Sequence, residues 1–148
     1  MTQDEIRKLI PHHGDMCLLE RLESWDTDSI VCYTRSHQKP DNPLLRNQQL
    51  NVVTGVEYAG QAMALHGGLT DRENNPGARP RQGYLASVRN VEFHCATLDD
   101  IDADLRVSAQ RLAGGADSYM YAFEITAEGQ VLLSGRAAVA LLADGEST

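Results

Sequence analysis

A single carboxylate, Glu57, interrupts an apolar segment near the middle of the chain. The segment is Thr54–Gly68, TGVEYAGQAMALHGG, in which nearly every other side chain is small or apolar. A helix that is apolar on all sides is expected to be buried, and a buried charged carboxylate costs free energy unless it is paired, hydrogen-bonded or protonated. We therefore predict a functional role for Glu57, with Gln61 one turn later on the same face. The alternative is a first-turn acid that the helix dipole favours.

Histidine is the second residue type that could move protons near neutral pH. His37 is our first candidate to work opposite Glu57, and His13, in the Pro-His-His-Gly stretch, is the second. The alternative for His37 is a local hydrogen bond at a strand end, and the alternative for His13 is a turn residue. We interpret His66 as a residue near the helix C-terminus that the dipole favours, and His94 as a structural strand residue.

Composition limits the other kinds of chemistry. The net charge of −8 argues against partners that need a basic surface, such as nucleic acid or an anionic membrane. The three cysteines are far apart among apolar residues, which predicts buried thiols in a reducing compartment. Only His12-His13 approaches the ligand spacing of zinc, so we predict no metal site. No apolar run has the length of a membrane span and no secretory signal begins the chain, so we expect a cytoplasmic protein.

Hydrophobic periodicity predicts a single domain over residues 1–148 that combines α and β structure. A short amphipathic helix is predicted over Thr2–Ile10, followed by strands over Met16–Trp25 and Ser29–Ser36. Residues 37–53 are expected to be irregular, and the apolar helix follows, with a second loop over Thr70–Arg81. Four strand-like runs then follow with tight turns, in Gly83–Cys95, from Leu105, around Tyr119–Ile125 and in Val131–Leu142.

An antiparallel sheet of about six strands and one all-round apolar helix bury each other only if the sheet curls around the helix. A helix between the second and third strands, followed by a four-stranded meander, is the hot-dog topology. We therefore predict an α+β hot-dog fold. Such sheets often pair edge to edge in dimers, which protects an exposed edge strand.

Three segments resemble those of the hot-dog 3-hydroxyacyl-acyl-carrier-protein dehydratases of the FabA/FabZ type, and more closely the predicted dehydratase branch called ApeP-like. They are Leu9-Ile10-Pro11-His12-His13 with Met16–Leu22, Gly55–Ala62 at the start of the central helix, and Gly83–Arg89 with the later Gly135-Arg136-Ala137. They occur in the family's order over nearly the whole chain.

The resemblance implies dehydration of a 3-hydroxyacyl thioester on an acyl carrier protein, without metal or other cofactor. It makes Glu57 the acid for the departing hydroxyl, because burial raises the pKa of a carboxyl group. Backbone amides of Gly55 and Val56 would bind the thioester oxygen, and Gln61 would orient Glu57. The resemblance adds Gly83, Tyr84 and Leu85 to the substrate-binding residues. It also implies a homodimer or a heterodimer with a second hot-dog dehydratase, and a higher oligomer is open.

One departure from the family pattern keeps other functions open. The family's Gly-His-Phe-Pro histidine would fall on Pro43, in Asp41-Asn42-Pro43-Leu44, where no histidine is present. A hot-dog thioesterase would hydrolyse the same class of thioester with the carboxylate as base or nucleophile. A non-catalytic, acyl-binding partner subunit of a dehydratase heterodimer is the third alternative.

Overall fold

A six-stranded antiparallel sheet and one long helix form the body of the protein in the computed structural model, which describes residues 1–10, 16–77, 83–115 and 117–141. The elements are α1 (Gln3–Leu9), β1 (Arg21–Trp25), β2 (Ser29–Thr34), α2 (Gly55–Asn74), β3 (Gly83–Phe93), β4 (Leu105–Gly114), β5 (Ser118–Ala127) and β6 (Gln130–Leu141). The strand order is β1-β2-β4-β5-β6-β3. This arrangement confirms the α+β hot-dog prediction. None of the helices in the described ranges has the length and apolar character needed to cross a membrane.

The core forms because buried and more exposed side chains alternate along the strands. On β4, β5 and β6 every second side chain faces α2, and Val107, Ile125 and Leu133 are fully buried there. Tyr58 and Met63 of α2 are equally buried. Each such side chain contributes about 1.5–3 kcal/mol to folding relative to its exposed state.

Helix α1 begins with a capping box, in which the Thr2 hydroxyl accepts from the Glu5 amide and the Glu5 carboxylate accepts from the Thr2 amide. Its buried residues Ile6 and Leu9 cover one end of the core. The Gln3 side chain donates to the Leu19 carbonyl at 2.9 Å, which ties α1 to the segment before β1. The predicted helix over Thr2–Ile10 is confirmed to within one residue at each end.

Helix α2 continues to Asn74, so the loop predicted from Thr70 was wrong at its start. Two glycines, Gly67 and Gly68, lie inside this helix, and the second of them is closely packed. A Cβ on Gly68 would lie 3.2 Å from the Leu9 carbonyl oxygen, and one on Gly67 would lie 3.5 Å from Leu141. The helix continues because Leu69 and Thr70 are buried.

The first strand begins five residues later than its predicted start at Met16. The preceding backbone is held mainly by side chains, with one backbone hydrogen bond from the Glu20 amide to the Tyr33 carbonyl of β2 at 3.4 Å. Hydroxyl groups of Thr34 and Ser36 both donate to the Leu18 carbonyl at 2.7 Å. The second strand ends at Thr34, and Ser36–Gln38 form a 3-10 turn.

The strand order leaves β3 as an edge strand that pairs only with β6. It is 11 residues long and mostly exposed, and its large side chains Tyr84 and Phe93 are 45% and 44% exposed. Asn90 interrupts the pairing with a left-handed backbone, φ 56°, at a register shift between Arg89 and Glu92. A long exposed edge strand with apolar side chains is a surface that another chain can pair with.

Candidate functional site

Glu57 is exposed at the surface of the single chain, so the expected burial of its side chain was wrong. The neighbouring residues explain the difference. Tyr58, Ala59 and Gly60 are buried, while Val56 is half-buried, so the first turn of α2 presents one flank to solvent. The pattern of small and apolar residues indicated a helix buried on all sides, and this flank is the exception.

The exposed flank lies beside the edge strand β3. A Cβ on Gly55 would lie 2.7 Å from the Leu133 side chain of β6, and one on Gly60 would lie 3.6 Å from Leu85 of β3. Glu57 lies between these two contacts along the helix and shares a face with Gly60, three residues on. The carboxylate therefore lies at the exposed start of α2, on the side of the helix nearest to Gly60 and its contact with the edge strand β3.

The Gly55 amide, one of the two that were predicted to bind a thioester oxygen, already has partners at the start of α2, whereas the binding role of Val56 stays a prediction. A 3-10 turn, Val52–Thr54, runs directly into the helix, and the Gly55 amide donates to the carbonyls of Val52 and Val53. The Val52 amide donates to Ala96 at 2.9 Å, and the Asn51 side chain accepts from the Val53 amide at 2.9 Å. Gly55 thus serves packing against Leu133, and its proposed role as an amide donor was wrong.

Gln61 does not orient Glu57 either. Its side chain is completely buried, and its Oε1 accepts from the Leu18 amide at 2.8 Å. Its Nε2 donates to the Met16 carbonyl. Both ends of the amide are therefore engaged by the segment before β1, and Gln61 joins that segment to α2.

His37 is completely buried in the 3-10 turn after β2. Its Nε2 donates to the Ile101 carbonyl at 2.9 Å, because a carbonyl can only accept. Burial lowers the pKa of the imidazole, which keeps it neutral. The ring joins the turn after β2 to the loop before β4 and does not reach the surface on which Glu57 lies. His37 and Glu57 are not brought together in this chain.

His66 is the centre of a buried polar network that the sequence did not indicate. Interpreting it as a residue near the helix end was wrong, because α2 continues beyond it and its ring is fully buried. Its Nε2 donates to the Asp26 carbonyl at 2.7 Å, which leaves Nδ1 to accept from the Tyr121 hydroxyl at 2.7 Å. Arg111 donates to the same hydroxyl at 3.0 Å and to Thr70 at 2.9 Å.

This network joins the β1–β2 turn, α2, β4 and β5. Burial lowers the pKa of His66, and the nearby Arg111 cation lowers it further, although Asp26 and Asp28 oppose the shift. Burial raises the pKa of Tyr121 to about 12. Both groups are therefore neutral at physiological pH, and the arrangement acts as a structural tie.

The remaining predicted site residues differ in how they are placed. His13 lies outside the described residues. Gly83 is buried at the start of β3, where a Cβ would lie 3.0 Å from Val139, whereas Tyr84 is exposed and Leu85 is half-buried against α2. Their role as substrate-binding residues stays a prediction.

His94 is the exposed histidine among the described residues. It follows the last residue of β3, and its amide donates to Leu132 at 2.8 Å. We had interpreted His94 as a structural residue of the strand, but its exposed side chain does not fit that interpretation. Its neighbour Phe93 pairs with Leu133, the residue that contacts Gly55, so His94 lies at the same end of the molecule as the start of α2.

Comparison with known proteins identifies the family. The sequence model of the ApeP-like family, described as ApeP dehydratase, matches residues 4–147. This chain belongs to the ApeP-like dehydratase family. Among curated proteins, none matches the sequence.

Solved structures show the same fold as this ApeP-like chain. The dehydratase heterocomplex ApeI:P from Xenorhabdus doucetiae superposes with a TM-score of 0.83 at 21% identity, over 94% of this chain and 91% of that chain. Thioesterase HI1161 from Haemophilus influenzae superposes with a TM-score of 0.67 at 14% identity, over 99% and 94%. S. sahachiroi AziG gives a TM-score of 0.63 at 18% identity, over 90% and 98%. The fold is therefore one that dehydratases and thioesterases share.

Proposed function

We propose that this ApeP-like chain is the carboxylate-bearing subunit of a dehydratase that acts on 3-hydroxyacyl thioesters carried by an acyl carrier protein. Membership of the family supports the reaction class. The single observation that carries the proposal is the position of Glu57, exposed on the flank of α2 on the side of the edge strand β3. A reactive carboxylate at an open sheet edge is a site that a second subunit can complete.

The composition of the site follows from the chemistry of water elimination. A base must remove the proton from carbon 2 of the acyl chain while an acid protonates the departing hydroxyl group. Glu57 can take one of these roles. His37 and His66 are both fully buried, and each donates one ring N–H to a backbone carbonyl, so neither side chain reaches the surface on which Glu57 lies. His94 is exposed, and no hydrogen bond among the described residues joins its side chain to Glu57. We therefore propose that a second hot-dog subunit, placed along β3, supplies the histidine.

The same subunit would exclude water from the site. Covering the exposed flank of α2 would desolvate Glu57, and desolvation favours the neutral, proton-donating form of a carboxylic acid. The heterocomplex of two dehydratase subunits among the similar structures supports this type of partner. The exposed Tyr84 and Phe93 would contribute apolar contact area along the same edge.

The experiment compares the purified chain, the purified partner subunit and their complex on a 3-hydroxyacyl thioester attached to acyl carrier protein. Mass spectrometry separates loss of water from release of the free thiol. We expect water loss by the complex and at least 100-fold less by this chain alone, since removal of one proton-transfer group costs about 10²–10⁴ in rate. Equal activity of the isolated chain would contradict the composite site, and thiol release would indicate a thioesterase. A partner that is fully active without this chain would make it the non-catalytic subunit.

A further inference from the structure

Antiparallel hydrogen bonds join the backbone before α2 to the segment that follows the edge strand β3. The Leu98 amide donates to the Leu50 carbonyl at 2.8 Å, and the Val52 amide donates to the Ala96 carbonyl at 2.9 Å. We call the contact between these residues the entry clamp of α2. Through it, the end of the edge strand is connected to the turn from which the helix starts.

Asp99 completes the entry clamp with its side chain. Its Oδ1 accepts from the Leu50 amide at 2.8 Å, so both backbone polar groups of Leu50 are bonded to the segment after β3. Leu50 is fully buried, and a buried amide that loses its acceptor destabilises its surroundings. The next residue, Asp100, is exposed, and its carboxylate accepts from the Thr97 hydroxyl at 3.1 Å. The two adjacent aspartates therefore differ, because only the first of them holds the backbone before α2.

The position of Glu57 depends on this backbone. No hydrogen bond or ion pair among the described residues includes the Glu57 side chain, so the first turn of α2 places its carboxylate. The same flank is poorly covered, since Val53 is 54% exposed and Val56 is half-buried. A 3-10 turn, Val52–Thr54, joins the entry clamp directly to Gly55, the first residue of the helix. A shift of the clamp would therefore shift the first turn, and Glu57 with it.

We propose that Asp99 is a positioning residue for Glu57 in the dehydration reaction. This inference rests on the proposed function, in which Glu57 is the proton-transfer group. Buried residues such as Tyr58 hold the inner side of the helix, whereas Asp99 holds the backbone from which the exposed flank starts. Proton transfer requires the carboxylate to lie within hydrogen-bond reach of the substrate, and a displacement of about 1 Å can lower a rate about 10²-fold. A subunit that pairs with β3 would bind directly beside this positioning segment.

Removal of the Asp99 acceptor tests this role. Asp99→Ala deletes the acceptor, whereas the side-chain oxygen in Asp99→Asn can still accept from the Leu50 amide. Asp100→Ala is the matched control, because it removes an exposed aspartate at the next position and leaves the hydrogen bonds of the entry clamp in place. Val52→Pro is a second test variant. It removes the amide that donates to Ala96, at the first residue of the 3-10 turn, where proline is tolerated.

Two measurements separate the position of the backbone from the reaction. Hydrogen–deuterium exchange of the chain alone reports on the backbone of residues 50–57 without reference to activity. Steady-state kinetics of the complex with the partner subunit, on the 3-hydroxyacyl thioester, separates kcat from KM. Thermal unfolding and native mass spectrometry establish that each variant is folded and assembled.

For Asp99→Ala we expect faster exchange in residues 50–57 and a kcat that is lowered by about 10–100-fold, with KM within about threefold of wild type. Val52→Pro should lower kcat in the same way, because it opens the same clamp at another hydrogen bond. Asp99→Asn and Asp100→Ala should stay within about threefold of wild type in both constants, since the Leu50 amide keeps its acceptor.

Unchanged kcat for Asp99→Ala and Val52→Pro, in a complex that Glu57→Gln inactivates, would overturn the positioning role and leave the proposed function intact. An equal loss for Asp99→Asn would also overturn it, because the effect would then come from the charge. So would a loss confined to KM, or unchanged exchange in residues 50–57 of Asp99→Ala. A wild-type complex that does not dehydrate would instead contradict the proposed function, and exchange would still decide whether Asp99 holds the backbone before α2.

Discussion

Replacement of His66 separates the structural role of the buried network from any catalytic role. In wild type, His66 donates to the Asp26 carbonyl and accepts from the Tyr121 hydroxyl, both at 2.7 Å. Phenylalanine at this position would leave the partly buried Asp26 carbonyl and the buried hydroxyl hydrogen of Tyr121 without this partner. Each unsatisfied group costs about 1–3 kcal/mol. We therefore expect His66→Phe to lower the free energy of unfolding by about 2–4 kcal/mol, a large share of a typical domain's stability.

The pH dependence of stability is the sharper part of this prediction. The folded state lowers the pKa of His66 below its ordinary value of 6.5, so between the two values the unfolded chain binds more protons. The stabilisation that neutral His66 gives the folded state is fully present above about pH 6.5. It declines as the pH falls toward the folded-state pKa. One titrating group changes the free energy by at most about 1.4 kcal/mol per pH unit. His37 shifts in the same direction and adds a similar slope.

Urea unfolding at several pH values between 5 and 8 would measure these effects. Glutamine can donate to Asp26 and accept from Tyr121 but does not titrate, so His66→Gln is the matched control. We expect its stability curve to be flatter than that of wild type below pH 6.5 by up to about 1.4 kcal/mol per pH unit. A His66→Gln curve parallel to wild type would show that His66 does not titrate on unfolding, and a His66→Phe variant as stable as wild type at pH 8 would show that its hydrogen bonds do not stabilise the fold.

Three further substitutions test the other assignments. Gln61→Leu should lower the free energy of unfolding by about 2–4 kcal/mol in urea, because the Leu18 amide and the Met16 carbonyl lose their buried partner; full stability with lost activity would instead favour a role beside Glu57. Gly55→Ala should cost about 1–3 kcal/mol in the same assay, since its Cβ would lie 2.7 Å from Leu133, and unchanged stability would mean that Leu133 moves freely. His37→Phe should lower the free energy of unfolding by about 1–3 kcal/mol, seen as a lower melting temperature, because the Ile101 carbonyl loses its donor. The folded fraction should still support dehydration by the complex. A variant with normal stability and no activity would restore His37 as a catalytic candidate.

The sequence predicted the fold because its local signals agree with the tertiary arrangement. The alternation in β4, β5 and β6 and the apolar character of α2 are both consequences of one shared core. The helix end was missed because Thr70–Asn74 is polar at most positions and precedes a turn sequence, whereas Thr70 and Asp71 are buried in the fold and Gly68 packs closely against Leu9. A local pattern does not reveal which distant side chain requires a missing Cβ.

The candidate site was predicted less completely, for reasons of geometry. The sequence predicts that Glu57 lies in the first turn of α2. Its exposure could not be predicted, because it depends on which flank of α2 the sheet leaves open. The partners of Gln61 and His37 come from 43 and 64 residues away in the sequence. Hydrophobic periodicity carries no information on such distant contacts. The family resemblance did not identify a histidine either, because Pro43 occupies the position of the family's histidine.

We propose above that Glu57 transfers a proton in a site that a second subunit completes. The most direct measurement is the rate of 3-hydroxyacyl thioester dehydration by the complex that contains Glu57→Gln. The control is Glu73→Gln, which replaces an exposed glutamate on the same helix near its other end. We predict a loss of about 10²–10⁴ in rate for Glu57→Gln and no change for Glu73→Gln, with both complexes assembled as in wild type. A Glu57→Gln complex that dehydrates at the wild-type rate would show that Glu57 does not transfer the proton.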